Sequence, residues 1–200
     1  MTREMIFALA LGYLLGSIPF GLVLTRLAGK GDVRKIGSGN IGATNVLRTG
    51  SKWLAALTLV LDCLKATAAI LIAQRLFGDV TGAFAAAGAL VGHIYPVWLK
   101  FRGGKGVATL LGILLGLQLW EVAAIYAAVW IFLLVTLRIS SLAGMTAAIS
   151  APVVTFVGQS SYFPLLLGFA LLVVWKHREN IVRLTKGTEP RIGSKTSSTA

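Results

Sequence analysis

Residues 107–137 read VATLLGILLGLQLWEVAAIYAAVWIFLLVTL and run straight into Arg138. How many helices this stretch holds decides the fold. A hydrocarbon core about 30 Å thick takes roughly 17–25 apolar residues per helix. The stretch is too long for one ordinary span and carries Glu121 in its interior. Read as two helices, it returns the chain to the side it left; read as one, it reverses everything that follows. The same choice recurs at 142–175, where Gly158-Gln159-Ser160-Ser161 interrupts the apolar run. Upstream, runs at about 5–25, 53–73 and 80–99 give one span each.

Charge decides between the alternatives. With both long stretches split and the N-terminus outside, the inner loops receive Arg26, Lys30, Arg34, Lys35, Arg48 and Lys52, then Lys100, Arg102 and Lys105, then Arg138. The C-terminal tail adds Lys176, Arg178, Arg183, Lys186, Arg191 and Lys195. Of the 19 cations only Arg3, Lys65 and Arg75 fall elsewhere, as the positive-inside rule requires. Merging 107–137 would put the basic tail outside. The expectation is therefore an all-α polytopic membrane protein with seven transmembrane helices, its N-terminus outside and its C-terminus cytoplasmic.

Composition agrees. The chain of 200 residues is 56% hydrophobic and 13% charged, against about 25% charged in soluble domains. A net charge of +12 would suggest nucleic acid in a soluble chain. Here the cations lie between apolar runs, so anionic membrane lipids or phosphorylated substrates are the expected partners. The single cysteine, Cys63, allows no internal disulfide and no metal framework. The first apolar run is too long for a signal-peptide core and lacks an Ala-x-Ala site, so it reads as an uncleaved span. Residues 1–192 are expected to form one membrane-embedded domain. Residues 193–200 read as a disordered tail or expression remnant. No internal repeat is evident.

Two inner loops carry the chemistry. Gly37-Ser38-Gly39-Asn40-Ile41-Gly42-Ala43-Thr44-Asn45-Val46-Leu47-Arg48 spaces three glycines so that positive φ and close approach can aim N–H groups at an anion. Ser38, Asn40, Thr44 and Asn45 add neutral donors, and Arg48 can fork onto a phosphate. No Gly-Lys-Ser/Thr follows, so it is not a Walker A loop; a flexible linker is the alternative. Lys100-Phe101-Arg102-Gly103-Gly104-Lys105-Gly106 leads into the fourth span and sets glycines between cations at a helix N-terminus, a combination that suits anions. Plain topology-setting charge is the alternative there.

A third group joins Ser140-Ser141, at the inner start of the sixth span, with Trp175-Lys176-His177-Arg178-Glu179-Asn180 at the inner end of the seventh. On a continuing helix His177 and Asn180 share a face, and histidine can donate to or accept from a phosphate or hydroxyl near neutral pH; a solvated helix end is the alternative. Within the bilayer, Asp62 and Lys65 are spaced to pair, and His93 precedes Tyr95-Pro96. Such residues are candidates for function, balanced here against a helix-packing lock. Gly16-Ser17-Ile18-Pro19-Phe20-Gly21 reads as a kink in the first span, bordering a site or serving packing.

In combination and order, Gly16-Ser-Ile-Pro-Phe-Gly21, Gly37 to Asn45, Leu61-Asp-Cys-Leu-Lys65, Gly92-His-Ile-Tyr-Pro96, Gly103 to Thr109 and His177-Arg-Glu-Asn180 resemble the PlsY family of bacterial, acyl-phosphate-dependent glycerol-3-phosphate acyltransferases. The resemblance covers residues 5 to about 190. It implies transfer of a fatty acyl group from acyl phosphate to the 1-hydroxyl of glycerol 3-phosphate, giving lysophosphatidic acid and phosphate. That is the first acylation of phospholipid synthesis, at the cytoplasmic side of the bacterial inner membrane. By the match, Ser38, Asn40, Gly42 and Thr44 form the pocket for the acyl-phosphate head. Arg48, Lys105, Ser141 and Asn180 go to glycerol 3-phosphate. His177 orients a phosphate or the attacking hydroxyl, and Glu179 fixes its neighbours.

The expected catalytic residues are thus His177, Lys105, Asn180, Ser38 and Asn40. The expected substrate-binding residues are Gly39, Gly42, Thr44, Asn45, Arg48, Gly103, Gly104, Ser141 and Glu179. No metal or other cofactor is expected. With no cysteine nucleophile at a loop and no His-x-x-x-x-Asp pair, direct attack without an acyl-enzyme is expected, driven by orientation and charge stabilisation. An organic-phosphate transporter using the same basic vestibule is the alternative class; the lack of a repeat and the one-sided placement of polar residues count against it, and a lipid-binding scaffold would not need two glycine-rich anion nests.

Overall fold

The structure, a computed structural model, describes residues 1–193; of the expected tail, residues 194–200 lie outside the described residues. The described chain is helical without β-strands. Its helices are α1 (Arg3–Gly16), α2 (Phe20–Leu27), α3 (Ala43–Leu47), α4 (Lys52–Phe77), α5 (Gly82–Ile94), α6 (Val107–Gly116), α7 (Trp120–Leu137), α8 (Ser140–Val157), α9 (Phe163–Lys176) and α10 (Arg178–Thr185). Among the described residues five segments are long and apolar enough to cross a membrane: Arg3–Leu27 (α1 with α2), Lys52–Phe77, Asp79–Leu99, Trp120–Leu137 and Ser140–Val157. The apolar helices α6 and α9 are shorter, at 10 and 14 residues. The chain divides into two compact units, Met1–Ala123 and the part from Ala124 onward, with α7 running across the division.

Both long apolar stretches are broken as the charge argument requires, and by one device. After α6 the chain turns at Gln118, in the left-handed region with φ 58°. The Leu119 N–H donates to the Leu114 carbonyl (2.9 Å) and the Gln118 N–H to Leu115 (3.1 Å). This Schellman pairing satisfies carbonyls that α6 would otherwise leave bare. After α8, Gln159 (φ 52°) repeats it, with the Ser160 N–H on the Thr155 carbonyl at 2.9 Å. Arg138 (φ 58°) separates α7 from α8. Glu121 therefore sits in the first turn of α7 and is exposed, where its charge meets the positive end of the helix dipole.

In the first unit, α1 and α5 cross so closely that small residues are obligatory. A Cβ on Gly12 or Gly16 would run into the backbone of Ala85 or Ala89; one on Gly88 or Gly92 would meet the backbone of Leu9 or Tyr13. Gly112 of α6 meets the backbone of Cys63 in α4, and the Thr67 hydroxyl donates to the Gly112 carbonyl at 2.8 Å. Close backbone approach of this kind drives helix association where lipid removes the hydrophobic incentive. The Gly16–Gly21 kink thus serves packing on its Gly16 side. Its loosened carbonyls are taken up by side chains: Ser17 accepts from the Trp98 indole N–H (2.8 Å) and Ile18 from the Lys65 ammonium (2.8 Å).

In the second unit α8 packs on α9, with Ala143, Ala147 and Ala151 buried beside Leu166, Phe169, Ala170 and Val173. Here one expectation needs correction. The helix does not continue through His177: α9 ends at Lys176 and α10 starts at Arg178, with His177 between them at φ −97° and ψ 8°. His177 and Asn180 are nonetheless both buried.

The crossing of α1 and α5 generates a stability test. Gly88→Ala forces two backbones apart and should cost about 1–3 kcal/mol, as overpacking does. Gly168→Ala in α9, where a Cβ meets nothing, should leave the detergent melting temperature unchanged or higher. Equal melting of the two variants would contradict the close crossing.

Candidate active site

The first loop is built from the inside out. Asp32 accepts from the Arg34 backbone N–H (3.0 Å), from the Arg34 guanidinium (2.9 and 2.6 Å) and from Arg26 (2.8 Å). The Arg34 guanidinium, outweighing the cost of burial, holds the Asp32 carboxyl far below the usual carboxylate range. Beyond this knot Val33, Ile41 and Val46 sink into a core with Leu22 of α2 and Ala55 of α4. Gly21 of α2 lies against the Ile41 backbone, where a Cβ would collide with its carbonyl.

Asn45 is the centre of the loop. Its buried amide N–H groups reach the carbonyls of Val33 (2.8 Å), Ile36 (3.1 Å) and Asn40 (2.8 Å). Its Oδ1 accepts from the Ser38 backbone N–H (3.2 Å) and from the Arg48 guanidinium (3.3 Å). Asn45 is an expected ligand contact whose polar atoms are already engaged within the loop. Gly37 and Gly39 adopt positive φ (54° and 68°); at Gly37 a side chain would strike Arg48 and Asn45. Gly42 departs from the expectation of positive φ: it caps α3 in extended backbone at φ −78°. Ser38, Gly39 and Arg48 are exposed, Asn40, Gly42 and Thr44 half-buried. The Asn40 Oδ1 is buried with no partner in the described structure. Buried polar atoms are seldom left so, and rotating the amide would present a donor there instead.

The second loop folds back onto the end of α5. The Gly103 N–H donates to the Ile94 carbonyl (3.1 Å) and the Gly104 N–H to the His93 carbonyl (3.0 Å). Those two N–H groups are taken up by α5, so they are not the free N–H groups that the sequence led one to expect there. Their lack of side chains is needed all the same, because a Cβ at Gly103 would meet His93 and Ile94 carbonyls and one at Gly104 the His93 ring. Gly106 starts α6 at φ 87°, and Lys105 is half-buried. Leu99, at the head of this loop, packs on the same apolar cluster as Ile41 and Val46. Both glycine loops therefore occupy one end of the first unit.

The second unit supplies a separate polar cluster. The Glu189 carboxylate accepts from the Ser141 hydroxyl (2.6 Å), from the Asn180 amide and from the Arg183 guanidinium (2.7 Å). Burial pushes this carboxyl up, but the bonds from Ser141, Asn180 and Arg183 and the charge of Arg183 prevail and hold it below its ordinary value. The His177 Nδ1–H donates to the Val173 carbonyl at 2.8 Å, which fixes the orientation of the ring. Glu179, expected to fix its neighbours, is exposed, and it is Glu189 that holds Ser141 and Asn180. Sequence reading passed over Glu189; its signal was a carboxylate in a basic tail, after Gly187 and before Pro190, where a turn can fold it back. Among the described residues no cluster of three or more His, Cys, Asp or Glu could hold a metal.

Comparison with known proteins is consistent from end to end. A family model described as glycerol-3-phosphate acyltransferase matches residues 6–187. A glycerol-3-phosphate acyltransferase of Mesorhizobium japonicum is 57% identical over 98% of this chain and 100% of its own length. One of Erythrobacter litoralis is 54% identical over 94% and 95%. Among solved structures, PlsY, an integral membrane glycerol 3-phosphate acyltransferase, superposes in its glycerol 3-phosphate form with a TM-score of 0.87 at 41% identity, covering 94% of this chain and 96% of that one. Its lysophosphatidic acid form gives 0.85 at 40%, covering 94% and 95%. With helices made for a bilayer, two glycine-cation loops at one end of its first unit and a family match running almost the whole length, this chain belongs to the glycerol-3-phosphate acyltransferase family, integral membrane enzymes of bacteria.

Proposed function

We propose that the chain carries a fatty acyl group from acyl phosphate to the 1-hydroxyl of glycerol 3-phosphate, releasing lysophosphatidic acid and inorganic phosphate. The observation that carries this reading is the pair of glycine-cation loops sharing one apolar cluster in a chain of this family. Two phosphate-bearing substrates call for two anion sites, and acyl phosphate joins a phosphate to an apolar tail. PlsY has been solved with glycerol 3-phosphate and with lysophosphatidic acid, which supports the same acceptor and product here.

In this reading the substrate hydroxyl oxygen attacks the acyl carbonyl carbon, a new ester C–O bond forms, and the C–O bond to phosphate breaks. The departing phosphate takes the hydroxyl proton. A mixed anhydride has a good leaving group, so orientation and charge neutralisation suffice and no covalent acyl-enzyme is formed. Ser38, Asn40, Gly42 and Thr44 are assigned to the acyl-phosphate head, with Gly39 and Asn45 shaping that loop. Arg48 and Lys105 are assigned to the phosphate of glycerol 3-phosphate, with Gly103 and Gly104 fixing the course of the Lys105 loop. Ser141 and Asn180, held by Glu189, are assigned to glycerol 3-phosphate by the family match, and His177 to orienting the reacting groups; Glu179 is kept as an outer neighbour. No cofactor is called for.

Residues 1–192 are taken as one acyltransferase domain, since the family match runs through both units. The seven apolar segments are assigned to seven spans with the N-terminus outside. That arrangement puts nearly all cations, and the glycine loops with them, on the cytoplasmic side of the bacterial inner membrane.

Purified protein in detergent should release phosphate from acyl phosphate only when glycerol 3-phosphate is present; activity confined to sealed vesicles would favour transport instead. Arg48→Ala and Lys105→Ala should each raise the KM for glycerol 3-phosphate by roughly 10- to 100-fold, the scale of a lost charge-assisted hydrogen bond, with kcat less affected. His177→Ala should retain measurable turnover; complete loss with intact substrate binding would make His177 an obligatory base.

Glu189 adds a pH test. A carboxyl titrating below its ordinary value of 4.5 stabilises the fold fully above that value and loses its contribution as pH falls through the lowered folded value. Wild-type melting temperature should therefore decline on acidification below about pH 4.5. In Glu189→Gln the decline should be smaller, from a lower starting point at pH 7.

A further inference from the structure

The Asp62–Lys65 pair and His93, left between function and packing by the sequence, form a buried network in the first unit. The Lys65 ammonium donates to the Asp62 carboxylate (2.7 Å), the Ile18 carbonyl (2.8 Å) and His93 Nδ1 (2.9 Å). Its three protons thus meet three acceptors. The side chains are 2–4% exposed, and the Phe20 ring lies 5.8 Å from the ammonium. Because Lys65 can only donate, His93 Nδ1 accepts through its lone pair and the ring hydrogen sits on Nε2. His93 Nδ1 is 3.7 Å from Asp62, outside hydrogen-bond distance, so Lys65 is its link to the carboxylate.

Both anion loops rest on the groups this ammonium holds. The Nε2 edge of His93 underlies Gly104 so closely that a Cβ there would overlap it, and the His93 carbonyl takes the Gly104 N–H. Lys105 is the next residue. On the other side Ile18 lies in the break before α2, whose Gly21 supports Ile41 in the first loop.

We propose that Asp62, Lys65 and His93 are positioning residues for the reaction: one buried ammonium fixes the His93 ring, and the ring fixes the level of Gly104 and hence of Lys105. A simple lock between helices would need only the Lys65 bonds to Asp62 of its own helix and to the Ile18 carbonyl, and would not run through a histidine ring to a loop. The assignment rests on the anion-binding role given to Lys105 above, and its test separates the two.

Asp62→Leu/Lys65→Met removes both charges at similar volume, an exchange that buried ion pairs often tolerate without loss of stability. Hydrogen exchange at the Gly103 and Gly104 amides, measured without substrate, should accelerate about tenfold or more in a folded double variant as the loop loosens. The KM for glycerol 3-phosphate should rise roughly 10- to 100-fold, as for a misplaced binding group, with a smaller fall in kcat. The exchange readout stands even if the wild type transfers no acyl group; that result would sink the reading of Lys105 and leave the loop coupling intact. Wild-type exchange together with wild-type KM in the folded double variant overturns the proposal and leaves a plain structural pair. If the double variant does not fold, His93→Asn decides. Its Oδ1 can stand in for Nδ1 as the acceptor of Lys65 but cannot reach Gly104, so faster exchange and raised KM are again expected, and unchanged values refute the proposal. Failure of both variants to fold also overturns it, assigning the network to folding and not to positioning.

Discussion

A bilayer offers no water to a bare carbonyl, and the arrangement of this chain follows from that constraint. Every interruption of a helix has to find new partners for the groups it exposes. At Ser17-Ile18 the partners are the Trp98 indole and the Lys65 ammonium. At the end of α5 they are the N–H groups of Gly103 and Gly104. At Gln118 and Gln159 they are the next N–H groups of the same chain, brought round by a left-handed residue. Two of these solutions recruit segments that belong to the candidate site, so satisfying the backbone and shaping the glycine loops are one task.

The glycines show how that coupling works at atomic scale. At Gly12, Gly16, Gly88 and Gly92 the absent side chain lets helix backbones touch; at Gly103 and Gly104 it lets a loop touch a helix end. The loop between Gly37 and Arg48 is organised differently, around the Asn45 amide and an apolar underside of Val33, Ile41 and Val46. A loop held in this way has little conformational freedom left to lose, a property that favours tight orientation of a ligand over raw contact area.

Much of this was legible in the sequence, and the limits are instructive. Apolar length with cation placement located the helices, including the two splits, because hydrophobic span and positive-inside bias act on whole segments. The breaks themselves lacked their usual glycine marker: Gln118, Arg138 and Gln159 take the left-handed conformation with a side chain in place. The glycine-rich loops announced themselves, but which N–H groups stay available depends on contacts distant in sequence. Gly103 and Gly104 spend theirs on α5, and Asn45, which looks like a ligand contact, spends its amide on its own loop. Glu189 was missed because its partners, Ser141 and Asn180, are set by how the chain returns after α10. Composition and spacing do not report a return of that kind.

The shortness of α6 has its own consequence. Ten residues rise about 15 Å, whereas the hydrocarbon slab is about 30 Å deep. Whatever its tilt, α6 cannot have both ends at the membrane surfaces. If α6 occupies the slab, a helix that begins beside Lys105 and stops at Gln118 sets one of its polar flanks below the surface, at the depth of the lipid chains. Under the proposed reaction, a reagent with one end soluble in water and the other in lipid would then be met at the junction between its two halves, without either half leaving its own solvent.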